Sequence, residues 1–142
     1  MRRIVIDTNV VLSGLLWRGP PYDLLTHVSQ NSSMQLFSSQ VLLDELADVL
    51  TRPSPAKRLK LINKTAREVL ADYVRAVTVL QPPPLAQPVC RDSDDDEVLA
   101  LALLAQAQAI VSGDNDLLVL QRFEGIVIIT AAQALQQLEV AG

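Results

Sequence analysis

The sequence has almost none of the residues that form disulfide frameworks or thiolate and imidazole metal sites. It contains one cysteine, Cys90, and one histidine, His27, among 142 residues. A single cysteine excludes an internal disulfide framework and a zinc site with several thiolates, and it is typical of a reducing compartment. His27 has no serine, cysteine or second histidine at catalytic spacing, so we expect it to pack or to face solvent.

Long apolar runs and a targeting segment are also missing. No apolar stretch approaches the ~18 residues that a membrane-spanning helix needs. The N-terminal Met1-Arg2-Arg3 leads into a short apolar run that already ends at Asp7, which is too short for a secretory signal. We therefore expect a cytoplasmic protein with no membrane partner.

Composition and length indicate one globular domain. Hydrophobic residues make up 49% and charged residues 20% of the chain. This balance excludes disorder and low complexity. A chain of this length buries roughly two-thirds of its unfolded surface, so we expect residues 1–142 to form a single domain.

The chain has too few basic residues for a uniformly basic nucleic-acid-binding surface, with 12 bases against 16 acids and a net charge of −4. The charges are nevertheless segregated along the sequence. Aspartates cluster at 92–96 and 114–116, whereas six of the bases fall between Arg52 and Arg67. This separation predicts a cation site beside a polyanion site.

Apolar segments that alternate with helical segments determine the predicted fold. Residues 3–6, 110–112 and 126–130 are mostly apolar, as strands buried on both faces are. They predict an α/β protein, a three-layer sandwich with a central, mostly parallel sheet of about five strands flanked by helices.

Acidic residues follow the strands of this predicted sheet. Asp7 comes directly after the first strand, and Asp114 and Asp116 follow residues 110–112. Asp96 lies in the first turn of an Ala- and Leu-rich helix predicted over 95–108, and Glu45 lies at the border of an apolar helical face. Each acid alone has an ordinary interpretation as a helix cap or turn residue. Because ligands bind at the carboxyl ends of parallel strands, however, we expect several of them to converge.

Converging carboxylates need a cation. Three or four of them at close range repel one another and raise each other's pKa unless a positive charge neutralises them. A site with oxygen ligands alone suits Mg²⁺ or Mn²⁺ better than zinc.

Four segments, in order, resemble the acidic signature of PIN-domain ribonucleases. They are Asp7-Thr8-Asn9, Glu45, Asp96 with the following Leu99-Ala100, and Ser112-Gly113-Asp114-Asn115-Asp116. The stretches Arg91–Ala102 and Leu50–Pro53 are similar to a bacterial branch described as toxins of toxin–antitoxin systems. The resemblance extends over essentially the whole chain.

The resemblance implies a PIN-like fold and Mg²⁺- or Mn²⁺-dependent cleavage of single-stranded or loop RNA. It also implies an antitoxin partner and a homodimer or higher homo-oligomer. The implied catalytic residues are Asp7, Glu45, Asp96 and Asp114. The implied metal ligands are Asp7, Asp96, Asp114 and Asp116, with Asn9 and Ser112 in supporting positions. Within the aspartate run, Asp94 or Asp95 could share the role given to Asp96.

The basic segment provides candidate RNA contacts. Helices predicted around 57–63 and 65–77 carry five of the 12 bases, and Arg52, Lys57, Arg58 and Lys60 are the candidates for phosphate binding. Such contacts give affinity without sequence information. A solvated helical face is the alternative interpretation.

Three other functions compete with a nuclease. A haloacid-dehalogenase-like phosphatase needs a second aspartate two residues after the first, where this chain has Asn9. A receiver domain needs a lysine at the end of a late strand, and the late strands have none. The remaining alternative is a non-catalytic PIN-like module that binds RNA or protein.

Overall fold

The computed structural model describes the backbone of residues 2–141 and the side-chain surroundings of residues 2–138. Within that range the chain forms six strands and eight helices. Their order is β1 (Arg3–Ile6), α1 (Thr8–Leu16), α2 (Pro20–Gln30), β2 (Gln35–Ser39), α3 (Gln40–Val49), α4 (Pro53–Leu61), α5 (Ala66–Ala76), β3 (Thr78–Leu80), α6 (Ser93–Ala105), β4 (Ala109–Val111), α7 (Asn115–Leu118), β5 (Arg122–Phe123), β6 (Ile126–Ile129) and α8 (Ala131–Ala141).

The strands form one sheet in the order β3-β2-β1-β4-β6-β5. All neighbours pair in parallel except β5, which is antiparallel to β6. The predicted mostly parallel sheet is confirmed. It has one strand more than the expected five because β5, only two residues long, is too short to leave a pattern in the sequence.

Helices cover both faces of the sheet, as a parallel sheet requires. Alternate residues of β1 point to opposite faces of the sheet and belong to different hydrophobic cores. Ile4 and Ile6 belong to a core with α1, α2 and α8, whereas Val5 belongs to a second core with α6 and α7. The predicted three-layer sandwich is therefore confirmed, and its central strands are buried on both sides.

The first residues of α4 and α6 differ from the prediction. α4 begins at Pro53, before the expected start at residue 57, because proline suits the first position of a helix, where no backbone N–H is needed. α6 begins at Ser93, two residues early, because the Asp92 side chain caps it by accepting a hydrogen bond from the Asp94 N–H. This earlier start affects the site.

Among residues 2–141, no helix combines the length and the apolar character that crossing a membrane requires. The assignment of residues 1–142 to one domain stays a prediction.

Candidate metal centre

Three aspartates from distant parts of the sequence meet at the carboxyl edge of the sheet. Asp7 follows β1, Asp95 lies in the first turn of α6, and Asp114 caps α7 just after β4. One carboxylate oxygen from each lies within 4.8 Å of the other two. The parallel pairing of β1 with β4 brings Asp7 and Asp114 to the same edge, and α6 packs beside that edge.

Ser112 connects the ends of β1 and β4. Its hydroxyl donates to Asp7 Oδ2 at 2.8 Å and accepts from the Asp114 backbone N–H at 3.0 Å. The Asp7 backbone N–H in turn donates to the Val111 carbonyl at 2.9 Å. Ser112 is fully buried, so it holds Asp7 and Asp114 in a fixed relation. Its supporting role in the site stays a prediction.

Burial and mutual repulsion favour protonation of the Asp7 carboxyl. The side chain is only 7% exposed. Desolvation is the largest cause that raises its pKa, and the charge of Asp114 adds to it, while the Ser112 hydroxyl acts in the opposite direction. Removing water from a carboxylate without an opposite charge makes its ionised form costly.

Asp95 is the least satisfied member of the group. It is 6% exposed, and its Oδ2 has no hydrogen-bond partner among the described residues. Desolvation, followed by the charges of Asp114 and Asp7, raises its pKa from 3.8 to about 7. A buried, unpartnered carboxylate oxygen facing two other carboxylates is expensive unless a cation binds it.

Glu45 faces the same edge from α3. Its pKa is raised, first by burial and then by the charges of Asp94, Asp7 and Asp92, while a hydrogen bond with the Thr8 side chain lowers it. Its carboxylate does not belong to the group within 4.8 Å. Glu45 therefore lies beside the three aspartates.

The structure places Asp95 with Asp7 and Asp114, in the position expected for Asp96. The Asp96 carboxylate turns to the preceding loop, where it accepts from the backbone N–H groups of Val89 at 3.2 Å and Cys90 at 2.8 Å. The structure therefore groups Asp95, one of the alternatives that the sequence left open, with Asp7 and Asp114, whereas the Asp96 carboxylate holds the loop.

The helical phase of α6 explains this difference. Asp95 shares its face with Val98, Leu99 and Ala102, all of which are buried. The face of Asp96 reaches solvent at Leu103, which is 39% exposed. Because α6 is Ala- and Leu-rich on every side, the sequence has no polar stripe from which this phase could be read.

Asp116 is engaged in an ion pair and does not join the group of three. Its Oδ1 accepts from Arg91 Nη2 at 2.8 Å, and its backbone N–H donates to Asp114 Oδ1 at 2.8 Å. Asn9 is exposed in the first turn of α1. The structure does not bring Asp116 into the three-aspartate group.

The candidate RNA contacts lie on and beside α4 and have different surroundings. Arg58 is half-buried, and its Nε donates to the Leu16 carbonyl at 2.8 Å, which ties α4 to the C-terminal end of α1. Arg52 pairs with Asp48 at 3.6 Å. Lys57 and Lys60 are exposed. Asp7 caps the opposite end of α1, about 12 Å along the helix axis from the end that Arg58 contacts.

A family model described as PIN domain matches residues 3–116, which include all three aspartates. The chain belongs to the PIN domain family. PIN domains are generally nucleases and generally use divalent metals. The family interpretation of the four acidic segments is thereby confirmed.

Two further comparisons place this PIN domain among known proteins. Uncharacterized protein MJ1680 of Methanocaldococcus jannaschii is 30% identical over 120 residues, which span 84% of this chain and 75% of that protein. A crystal structure of VapBC2 from Rickettsia felis, bound to a DNA fragment from their promoter, has a similar fold with a TM-score of 0.58. That match has 11% sequence identity and covers 89% of this chain and 96% of the other. The likeness confirms the PIN-like fold.

The donor set of this PIN domain fits a hard divalent cation. The three side chains offer oxygen alone, which Mg²⁺ and Mn²⁺ prefer. The buried Asp95 Oδ2 and the raised pKa of both buried aspartates show that the site lacks internal compensation for its negative charge. A metal ion would supply that compensation.

Proposed function

We propose that this PIN domain is a Mg²⁺- or Mn²⁺-dependent endoribonuclease that acts as the toxin of a toxin–antitoxin pair. The observation that carries the nuclease proposal is the group of three aspartate oxygens within 4.8 Å of one another at the carboxyl edge of the sheet. Membership in a family of nucleases supports it. The toxin role is supported by the sequence resemblance and by the fold shared with VapBC2.

Asp7, Asp95 and Asp114 would hold the metal in this mechanism. When bound, a divalent ion lowers the pKa of a coordinated water and neutralises charge that builds on a phosphate. Ser112 keeps the Asp7 carboxylate in place through its 2.8 Å hydrogen bond. The metal roles expected for Asp96 and Asp116 are not carried forward, because their carboxylates contact backbone N–H groups and Arg91.

Glu45 orients the attacking water in this proposal. Its half-buried carboxylate lies close enough to Asp7 to interact with its charge. Burial and then the surrounding acids raise its pKa, which favours a group that accepts a proton from water. Binding a second metal is the other role open to it.

Lys57 and Lys60 contact RNA phosphates at a distance from the reaction. Both are exposed on α4, the helix that Arg58 ties to the end of α1 opposite Asp7. Arg58 contributes by fixing the position of α4, and Arg52 reaches phosphate by leaving its exposed pair with Asp48. The antitoxin partner, the homo-oligomer and the cytoplasmic location stay predictions from the sequence.

The test is cleavage of single-stranded RNA by the purified protein with Mn²⁺ or with EDTA. We expect cleavage with Mn²⁺ alone, and Asp7→Asn should reduce its rate at least about 100-fold by removing a ligand charge. Asp23→Asn is the matched control, because Asp23 is exposed on α2, and it should cleave like the wild type.

Wild-type protein that binds Mn²⁺ but cleaves none of a varied set of RNAs would contradict the nuclease proposal and favour a non-catalytic module. Induced expression tests the toxin role separately. Wild-type protein should arrest bacterial growth, and Asp7→Asn should not. Growth that continues with an active nuclease would exclude the toxin role alone.

A further inference from the structure

Arg91 is a basic side chain at the acidic edge for which the proposed mechanism has no role. It lies in the segment between β3 and α6, and its side chain is 87% exposed. Its Nη2 donates to Asp116 Oδ1 at 2.8 Å. The pair therefore joins the segment before α6 to the first turn of α7, beside the three aspartates.

Both partners of this pair are positioned by other aspartates. Asp96 holds the backbone before Arg91 by accepting from the N–H groups of Val89 and Cys90. Asp114, a member of the three-aspartate group, accepts from the Asp116 backbone N–H at 2.8 Å. The guanidinium thus contacts Asp116, and the backbone of Asp116 contacts the candidate metal ligand Asp114.

The Arg91–Asp116 pair is easily broken. The Asp116 side chain is 36% exposed and that of Arg91 is 87% exposed, and solvent-exposed ion pairs contribute little to stability. A guanidinium also forms two parallel hydrogen bonds with phosphate. A phosphate that approaches this edge can therefore replace Asp116 at little cost.

The local charge explains why such a contact is needed. Asp92, which caps α6, and Asp94, in its first turn, are exposed, and their charges act on Glu45 together with that of Asp7. This surface repels an RNA backbone even when a divalent ion offsets part of its charge. A cation that can turn outward reduces the repulsion where the RNA enters.

We infer that Arg91 is a phosphate-binding residue that exchanges its partner, from Asp116 to an RNA phosphate next to the one that is cleaved. Asp116 holds the guanidinium ready at the edge of the site in the absence of RNA. This inference rests on the proposed ribonuclease function and names a substrate contact for it.

The test measures binding of a fluorescent single-stranded oligouridine by anisotropy, in EDTA so that no cleavage occurs. Arg91→Ala should weaken binding about 3- to 10-fold. It should also reduce the slope of log affinity against log salt by about 0.7, the value for one lost phosphate contact on a single strand. Arg91→Lys should retain the salt slope and lose part of the affinity. Lysine keeps the positive charge but cannot form two parallel hydrogen bonds with phosphate.

A substitution at Asp116 tests the exchange of partners directly. Asp116→Asn releases the guanidinium and should tighten binding about 2- to 5-fold, and this gain should vanish in the Arg91→Ala background. Asp94→Asn removes a charge from the same edge but leaves the Arg91–Asp116 pair intact. Its effect on binding should therefore be equal with Arg91 and with Arg91→Ala. Thermal melting of each variant checks that it is folded.

Two results would overturn the inference. One is an Arg91→Ala variant with the affinity and salt slope of the wild type. The other is an Asp116→Asn gain that persists without Arg91, which would show that it reflects the overall charge. If either occurs while the wild type still cleaves RNA with Mn²⁺, only this inference fails. If the wild type neither binds nor cleaves RNA, the proposed function fails with it.

Discussion

Polar side chains make opposite kinds of contact at the two edges of the sheet. At the amino edge, Arg3 donates through Nε to the Ala105 carbonyl at 2.7 Å and through Nη1 to Gln35 Oε1 at 3.1 Å. Its guanidinium also lies 4.7 Å from the centre of the Phe37 ring. Each contact there joins a donor to an acceptor or a cation to an aromatic face, so the edge stabilises the fold.

The carboxyl edge brings groups of the same charge together. Asp7, Asp95 and Asp114 lie within 4.8 Å of one another, and Asp95 Oδ2 has no partner among the described residues. Such an arrangement lowers the stability of the metal-free protein. The contrast teaches that, on one sheet, complementary polar contacts mark a structural edge, whereas uncompensated like charges mark a site for a ligand.

The largest expected effect comes from neutralising one aspartate of the uncompensated group. Asp95→Asn should reduce Mn²⁺-dependent cleavage at least about 100-fold, since it removes a ligand charge. The same change should raise the melting temperature of the metal-free protein, because it removes repulsion. RNA cleavage assays and thermal melting in EDTA measure both effects.

Asp96→Asn is the matched control for this prediction, on the adjacent residue of the same helix. Asparagine still accepts a backbone hydrogen bond from the 88–90 loop, so we expect less than about a tenfold loss of cleavage. A larger loss for Asp96→Asn than for Asp95→Asn would contradict the assignment of Asp95 to the metal.

The second prediction concerns pH. Burial and neighbouring charges raise the pKa of Asp95 from 3.8 to about 7 in the folded protein. The folded state therefore binds more protons than the unfolded state between about pH 4 and pH 7, and its stability falls as pH rises through that range. We expect the free energy of unfolding in EDTA to be about 1–3 kcal/mol lower at pH 8 than at pH 5.

Urea denaturation at the two pH values measures this difference. Mn²⁺ should stabilise the protein more at pH 8, where the ligands are ionised. Asp95→Asn should flatten the profile. The same pH dependence in wild type and variant would show that other groups cause it.

The smallest effect on function is expected at the complementary edge. Arg3→Ala removes two hydrogen bonds and a cation–π contact, so it should lower the free energy of unfolding by about 1–3 kcal/mol. Cleavage per folded molecule should not change. Arg2→Ala, at an exposed neighbour, should alter stability by less than about 0.5 kcal/mol. A loss of cleavage in folded Arg3→Ala would remove the distinction between the edges.

Much of the fold could be predicted from the sequence because burial leaves a clear pattern. The apolar runs that became β1, β4 and β6 indicated a parallel sheet, and the acids that follow the first two indicated its carboxyl edge. Serine is a typical helix cap, and the Ser39 side chain caps α3 by accepting from the Leu42 N–H at 3.2 Å. β5 was missed because two residues show no periodicity.

The partners of the acids could not be predicted, because they depend on contacts between distant segments. No local pattern indicates that Arg91 reaches Asp116 or that Asp96 holds the Val89–Cys90 backbone. The choice between Asp95 and Asp96 likewise depends on a rotation of about 100° about the α6 axis. Packing against the sheet determines that rotation.

The sequence by itself determined that this chain forms a parallel α/β sheet with carboxylates after its strands, because hydrophobic periodicity and strand ends are local properties. Only the tertiary structure decided which of these carboxylates share a site. A distance of a few ångströms between residues 7, 95 and 114 is set by strand pairing and helix packing, and these act across more than a hundred positions of the chain.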